Sequence, residues 1–335
     1  GILISFPLLK NILKSNGPKR YLSKPDRIGF VLVVSIASLM ISSCGSMLSR
    51  QWPQPTEALP IRHELDTVPF YPQEAYQCGP ASLAMTLTWS GIQVDPEAIT
   101  PEVFTPSLKG SLQSAMISAA RRRGRVAYPI SGAEAMLEEV AAGHPVIILQ
   151  NLGLSWYPMW HYAVVVGYDL ELGIVLLHSG VISQKRLSQR VFNNTWARSD
   201  YWGLLVLPPS RIPATATEHN YVSAVLGFEK AQQWQAAIEG YNTALARWPD
   251  SLSARMGLGN SYYALGDLVS AEAAFREATI RFPTNGIAYN NLAQVLWERD
   301  NRKEALEAAR KAVDLGGPLV EEYQRTLRKI QEGKP

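Results

Sequence analysis

An α+β domain followed by an all-α repeat solenoid is the fold class this chain predicts, and three features predict it. Between residues 78 and 178, apolar helix-like segments come first and β-branched runs second, the order of an α+β domain with a mainly antiparallel sheet. From about residue 219, small and aromatic residues return every 34 positions, the sign of stacked helix pairs. With 335 residues and 47% apolar content, the chain can build both cores.

Residues 1–43 hold six Lys/Arg against one acid, Asp26. Lys19, Arg20, Lys24 and Arg27 form a positive region before the apolar run 28–41. That run is short for a membrane-spanning helix and fits the apolar part of an export signal. It ends in Ile41-Ser42-Ser43-Cys44, which resembles the lipobox of bacterial lipoproteins. The resemblance implies a signal peptide over 1–43 and lipidation at Cys44. It also implies residence in the bacterial cell envelope, anchored by lipid at the periplasmic face of the outer membrane. Residues 44–60, with Pro53, Pro55 and Pro60, suit an extended tether. Beyond residue 43 the chain has 26 basic and 28 acidic residues, so the net charge of +3 resides in the leader. Nucleic acid is therefore not an expected partner.

The first globular domain is expected over 61–208. A helix is predicted over 81–89 behind Cys78-Gly79-Pro80, with Pro80 tolerated in the first turn. A second helix is predicted over 110–123 before Gly124, then a strand over 126–130. A third helix follows over 133–142 before Gly143, then a buried strand over 145–149. Residues 161–168 and 174–178 read as two strands joined by a turn ending at Gly173.

Pro208, Pro209 and Pro213 mark a linker over 209–218. Beyond it, Gln233, Asp267 and Asn301 are 34 residues apart, as are Ala237, Ala271 and Ala305, Ala244, Ala278 and Ala312, and the pair Pro249 and Pro283. This pattern resembles the tetratricopeptide repeat. It implies three helix pairs over 219–316, a capping helix and tail over 317–335, and a concave groove for a protein partner.

The chemistry is concentrated around Gln73-Glu74-Ala75-Tyr76-Gln77-Cys78-Gly79-Pro80 and Trp160-His161-Tyr162-Ala163-Val164. Only two cysteines occur, and lipidation of Cys44 leaves Cys78 without an intrachain disulfide partner. Cys78 stands where a helix begins, and the free N–H groups and dipole there favour a thiolate. A depressed thiol pKa is expected at this position. His161, at the head of a strand, is the candidate general base. Gln73 is the candidate oxyanion donor, with Gln77 a weaker rival. Tyr76 and Trp160 flank the two key residues and are expected to pack. Arg121-Arg122-Arg123-Gly124-Arg125 reads as a solvated helix end.

Gln73, Cys78-Gly79-Pro80-Ala81 and the run from Trp160 to Tyr168 together resemble the papain-like cysteine peptidases of family thirty-nine, the bacteriocin-processing group. The likeness covers about residues 66–180. It implies a papain-like fold and peptide-bond hydrolysis by Cys78 and His161, with oxyanion help from Gln73. Family members carry an Asp on the strand after the histidine. Here that neighbourhood reads Leu176-Leu177-His178-Ser179-Gly180, so Ser179 is the possible third member and a Cys–His dyad the simpler alternative. Asp169 sits in a turn, and His178 has no second ligand at metal-binding spacing, so no cofactor or metal is expected.

The chain therefore reads as an exported, lipid-anchored cysteine peptidase whose repeats recruit a substrate or partner. One alternative is a non-catalytic adaptor that grips peptides with a degenerate peptidase domain. Another is acyl transfer on a non-peptide substrate by the same thiol chemistry.

Overall fold

The computed structural model describes residues 52–56, 59–73 and 77–333. The expected signal peptide, the lipidation site Cys44 and Tyr76 lie outside the described residues. Trp52–Pro335 forms one compact unit.

That unit starts with β1 (Arg62–Glu64), then α1 (Cys78–Trp89) and α2 (Pro96–Val103). The short strands β2 (Phe104–Thr105) and β3 (Gly110–Ser111) pair with each other ahead of α3 (Gln113–Arg122). There follow β4 (Val126–Ser131), α4 (Ala133–Ala141), β5 (Val146–Asn151), β6 (Trp160–Asp169), β7 (Ile174–Ser179) and β8 (Ile182–Ser188). The domain closes with α5 (Gln189–Trp196) and β9 (Trp202–Leu207).

A seven-stranded antiparallel sheet runs β4-β9-β5-β6-β7-β8, with β1 paired to the far end of β6. Helix α1 is buried along almost its whole length, from Gly79 to Leu87. An all-round apolar helix of this kind must sit inside a core, and α1 does so against β6. The α+β order and the early helix agree with the sequence reading. Several elements differ from it, β8 and α5 among those not expected. Gly110 and Ser111 form β3 rather than the first turn of a helix, and α3 begins at Gln113. Helix α2 has Pro96 in its first turn and Pro101 inside it, a pattern that suppresses the helical signal. Strand β9 inserts between β4 and β5, a long-range pairing that no local pattern announces.

The repeats comprise α6 (Glu218–Lys230), α7 (Trp234–Arg247), α8 (Leu252–Ala264), α9 (Leu268–Arg281), α10 (Gly286–Glu298) and α11 (Arg302–Leu315), closed by α12 (Val320–Gln331). The 34-residue period now has a physical meaning. Gln233, Asp267 and Asn301 are the N-cap positions of α7, α9 and α11. The periodic alanines at 237, 271, 305, 244, 278 and 312 are all fully buried. Close helix approach also needs glycine: a Cβ on Gly257 would lie 2.2 Å from the Tyr241 ring, and one on Gly259 2.5 Å from Phe275.

The segment between the sheet domain and the repeats is pinned. Buried Glu139 on α4 accepts hydrogen bonds from the backbone N–H of Ala214 (3.1 Å) and Thr215 (2.8 Å), and from the Thr215 hydroxyl (2.6 Å). Its carboxylate also meets His144 Nδ1 at 2.7 Å. Tyr221 on α6 donates to the Pro209 carbonyl at 2.9 Å. Arg121 lies against Gly227, where a Cβ would come within 2.2 Å of the guanidinium. One hydrophobic cluster runs from Trp52 through the sheet domain to Leu258 and Ala274 in the repeats. Among the described residues no helix is long and apolar enough to cross a membrane.

Candidate active site

Cys78 is the first residue of α1, and Gln77 is the N-cap, whose side chain makes no capping bond. The first N–H groups of a helix have no intrahelical acceptor. Here those of Cys78 and Gly79, together with the N–H of Tyr162 on β6, lie close enough to the sulfur to favour its thiolate. The sulfur therefore sits beside the peptide that links His161 to Tyr162. Gly79 lets β3 pack closely on the start of α1, since a Cβ there would lie 2.3 Å from Ser111 Oγ. The Tyr162 hydroxyl in turn donates to the Ser111 carbonyl at 3.0 Å. Helix α1, β3 and β6 thus lock together around the thiol.

His161 is half-buried near the start of β6. Its Nε2 meets Ser179 Oγ at 3.0 Å. Val164 pairs with His178 across β6 and β7, so Ser179, one residue on, faces Ala163 and lies diagonal to His161 on the same sheet face. The hydroxyl thus occupies the place expected of the absent carboxylate. With Nε2 on Ser179, Nδ1 remains available. Among the described residues no hydrogen bond joins Cys78 to His161 directly.

Gln73 is 6% exposed. Its backbone N–H donates to the Gly180 carbonyl at 3.0 Å, and its Oε1 accepts from the Gly180 N–H at 3.1 Å. That pair of bonds fixes the amide beside Ser179. The other end of the amide, Nε2, is buried with no partner. An unpaired buried donor costs roughly 1–3 kcal/mol, so native structures rarely keep one without a use. Gln77 is half-buried and shows no comparable restraint.

The electrostatics correct one expectation. Burial pushes the Cys78 thiol above its ordinary value, and the N–H groups of Tyr162, Gly79 and Cys78 offset this only in part. Burial, followed by the charge of Lys185, lowers His161 from 6.5 to about 4. A preformed thiolate–imidazolium pair requires the opposite order of affinities. At neutral pH the resting pair is thiol and neutral imidazole, because desolvation outweighs the helix N-terminus at this depth. Alkylation of Cys78 by iodoacetamide should therefore be slow at neutral pH and keep climbing with pH past the ordinary 9.0 before it levels off. A rate that plateaus at neutral pH would contradict this ordering.

The remaining candidates are also placed. His178 bonds to the Val68 carbonyl through Nε2 (3.1 Å) and accepts the Gln184 N–H through Nδ1 (3.2 Å). Both nitrogens are thus committed to backbone groups, one ahead of α1 and one on β8. Asp169 accepts the Leu172 N–H at 2.8 Å, capping its own turn. Trp160, expected to pack, is half exposed at the start of β6. The basic run, expected to be solvated, is tied inward: Arg122 and Arg123 pair with Glu102, and Arg125 bonds to Ser90. Gly180 and the Tyr162 N–H carry the geometry but gave no signal of a role, since backbone groups are chemically silent in a sequence. Among the described residues no group of three or more His, Cys, Asp or Glu could hold a metal ion.

The domain that carries this site is of the C39-peptidase-like class. Residues 65–201 match the model of the Peptidase_C39 like family. Residues 224–286 and 270–319 match the tetratricopeptide repeat. The chain thus joins a C39-peptidase-like domain to tetratricopeptide repeats.

Among solved structures, a C39-like peptidase from Bacillus anthracis is 19% identical, with a TM-score of 0.37, over 44% of this chain and 97% of that one. The peptidase domain of Streptococcus ComA, a bifunctional ABC transporter of a quorum-sensing pathway, is also 19% identical. Its TM-score is 0.36, over 42% of this chain and 98% of that one. The Sgt2 tetratricopeptide domain from Aspergillus fumigatus is 22% identical, with a TM-score of 0.32, over 34% of this chain and 80% of that one. No curated protein matches the chain.

Proposed function

We propose that this chain is an exported, lipid-anchored cysteine peptidase whose repeats recruit a substrate or protein partner. The observation that carries the catalytic reading is the Gln73 amide. It is clamped through Oε1 by Gly180 and presents an unpartnered buried Nε2 next to the Ser179–His161 pair. Preorganised donors of this kind stabilise an oxyanion without reorganisation at the moment of reaction.

In this reading Cys78 Sγ attacks the carbonyl carbon of a peptide bond while its proton passes to His161 Nδ1. The developing oxyanion takes hydrogen bonds from Gln73 Nε2 and the Cys78 N–H. The C–N bond then breaks, and the imidazolium returns its proton to the leaving amine. Water, deprotonated by His161, cleaves the thioester and restores the thiol. Ser179 Oγ accepts a hydrogen bond from Nε2–H and so holds the ring in the tautomer that leaves Nδ1 basic.

A peptide-based electrophilic thiol probe tests the reading. The expected result is a stoichiometric adduct on the wild-type chain and none on Cys78→Ala. Gln73→Ala should lower the labelling rate by about 10²–10³-fold, the usual cost of one oxyanion donor. No adduct on either chain would sink the catalytic reading. That outcome would favour the second reading, a peptide-binding adaptor, which the raised thiol pKa supports.

A further inference from the structure

The loop between β5 and β6 is a rigid hairpin with an apolar tip. Leu154 and Tyr157 exchange backbone hydrogen bonds at 3.0 and 3.1 Å, and Leu152 N–H donates to the Met159 carbonyl at 2.9 Å. Asn151 Oδ1 accepts the N–H groups of Gly153 and Met159, both at 2.9 Å. Residues 152–160 read Leu-Gly-Leu-Ser-Trp-Tyr-Pro-Met-Trp and contain no charged side chain. The hairpin presents Trp156 at 79% exposure and Tyr157 at 67%, with Leu154, Met159 and Trp160 about half exposed beside them. Exposed aromatics held this firmly are costly in water and mark a contact surface.

The fold also says where the preceding chain enters. Trp52, the first described residue, packs edge-on against Phe192 of α5, ring centroids 6.0 Å apart. The same short helix reaches the hairpin. Thr195 Oγ1 accepts from Gln150 Nε2 at 2.6 Å, and Arg198 just beyond α5 donates to the Asn151 carbonyl at 3.1 Å and to that of Gly153. Eight residues of helix cover about 12 Å. The eight steps from Cys44 to Trp52 reach at most about 29 Å.

We infer that this hairpin rests in the headgroup region of a phospholipid bilayer, with Trp156 and Tyr157 at the interface. Amphipathic indole and phenol rings favour that depth. The inference rests on the reading of Cys44 as a lipid anchor, which would keep the hairpin within reach of the same surface. A second contact also limits tumbling about the tether, so the end of β6 that carries His161 is held close to the membrane.

The test uses the full acylated chain on vesicles containing phosphatidylcholine brominated near the headgroup end of its acyl chains. Flotation with the vesicles reports the anchor, and bromolipid quenching of tryptophan emission reports the hairpin. Trp156→Phe should remove the larger part of the quenching, whereas Trp248→Phe in the repeats should leave it unchanged. Quenching that Trp156→Phe leaves intact, on a chain that still floats, overturns the hairpin inference alone. The same result with a raised KM for a peptide assigns the loop to substrate instead. A chain that does not float overturns both the anchor and the inference.

Discussion

Replacing His161 by alanine is expected to lower kcat/KM for peptide hydrolysis by about 10²–10⁴-fold, the usual contribution of a general base. Ser179→Ala should cost only about tenfold. It removes one neutral hydrogen bond, worth about 0.5–1.5 kcal/mol, and each 1.36 kcal/mol is a factor of ten in rate. The pH profile separates the roles. Because burial and Lys185 lower His161 to about 4, its neutral, proton-accepting form persists well into acid. The acid limb of kcat/KM should therefore lie near 4 and not near the ordinary histidine value of 6.5. Ser179→Asp would place a negative charge on Nε2, favour the imidazolium and move that limb to higher pH. An acid limb that stays in place in Ser179→Asp would remove Ser179 from the site.

Glu139→Ala is expected to destabilise the chain by about 3 kcal/mol or more, since each buried donor left without its acceptor costs roughly 1–3 kcal/mol. The substitution strands the N–H groups of Ala214 and Thr215 together with the Thr215 hydroxyl, in the segment that carries the chain from the sheet into the repeats. Glu139→Gln retains one acceptor oxygen and should cost less. The wild-type contribution should also depend on pH. Burial alone would raise the Glu139 carboxyl, but hydrogen bonds from His144 and Thr215 hold it below its ordinary 4.5. Its contribution is therefore complete above that value and lost as pH falls through the lowered one. Denaturant unfolding at neutral and acid pH measures both effects. A loss below about 1 kcal/mol in Glu139→Ala would mean that the clamp is dispensable.

Much of the fold was legible because it is written locally. Cys78-Gly79-Pro80 ahead of an apolar run gives a buried helix with the thiol at its mouth. The β-branched run after His161 gives a central strand. The 34-residue recurrence gives helix pairs whose caps and buried alanines fall at fixed offsets. The misses have local causes too. Two prolines hid α2, and the Arg121–125 run looked solvated because its partners, Glu102, Ser90 and Gly227, are remote in sequence. The thiol pKa was misjudged because helix position is visible in a sequence and depth of burial is not.

The site itself divides along the same line. Which side chains are candidates for the chemistry is a matter of residue type and near neighbours, so Cys78, His161 and Gln73 stand out in the bare sequence. How they are disposed depends on pairings across the chain. The Ser179–His161 contact spans 18 residues, the Glu139 clamp 76 and the Gly180–Gln73 bond 107. Each such closure is set by strand register and the packing of α1 on the sheet. Only the tertiary structure could therefore put a serine against the His161 ring and, clamped to the next residue Gly180, a buried amide with an unpartnered Nε2.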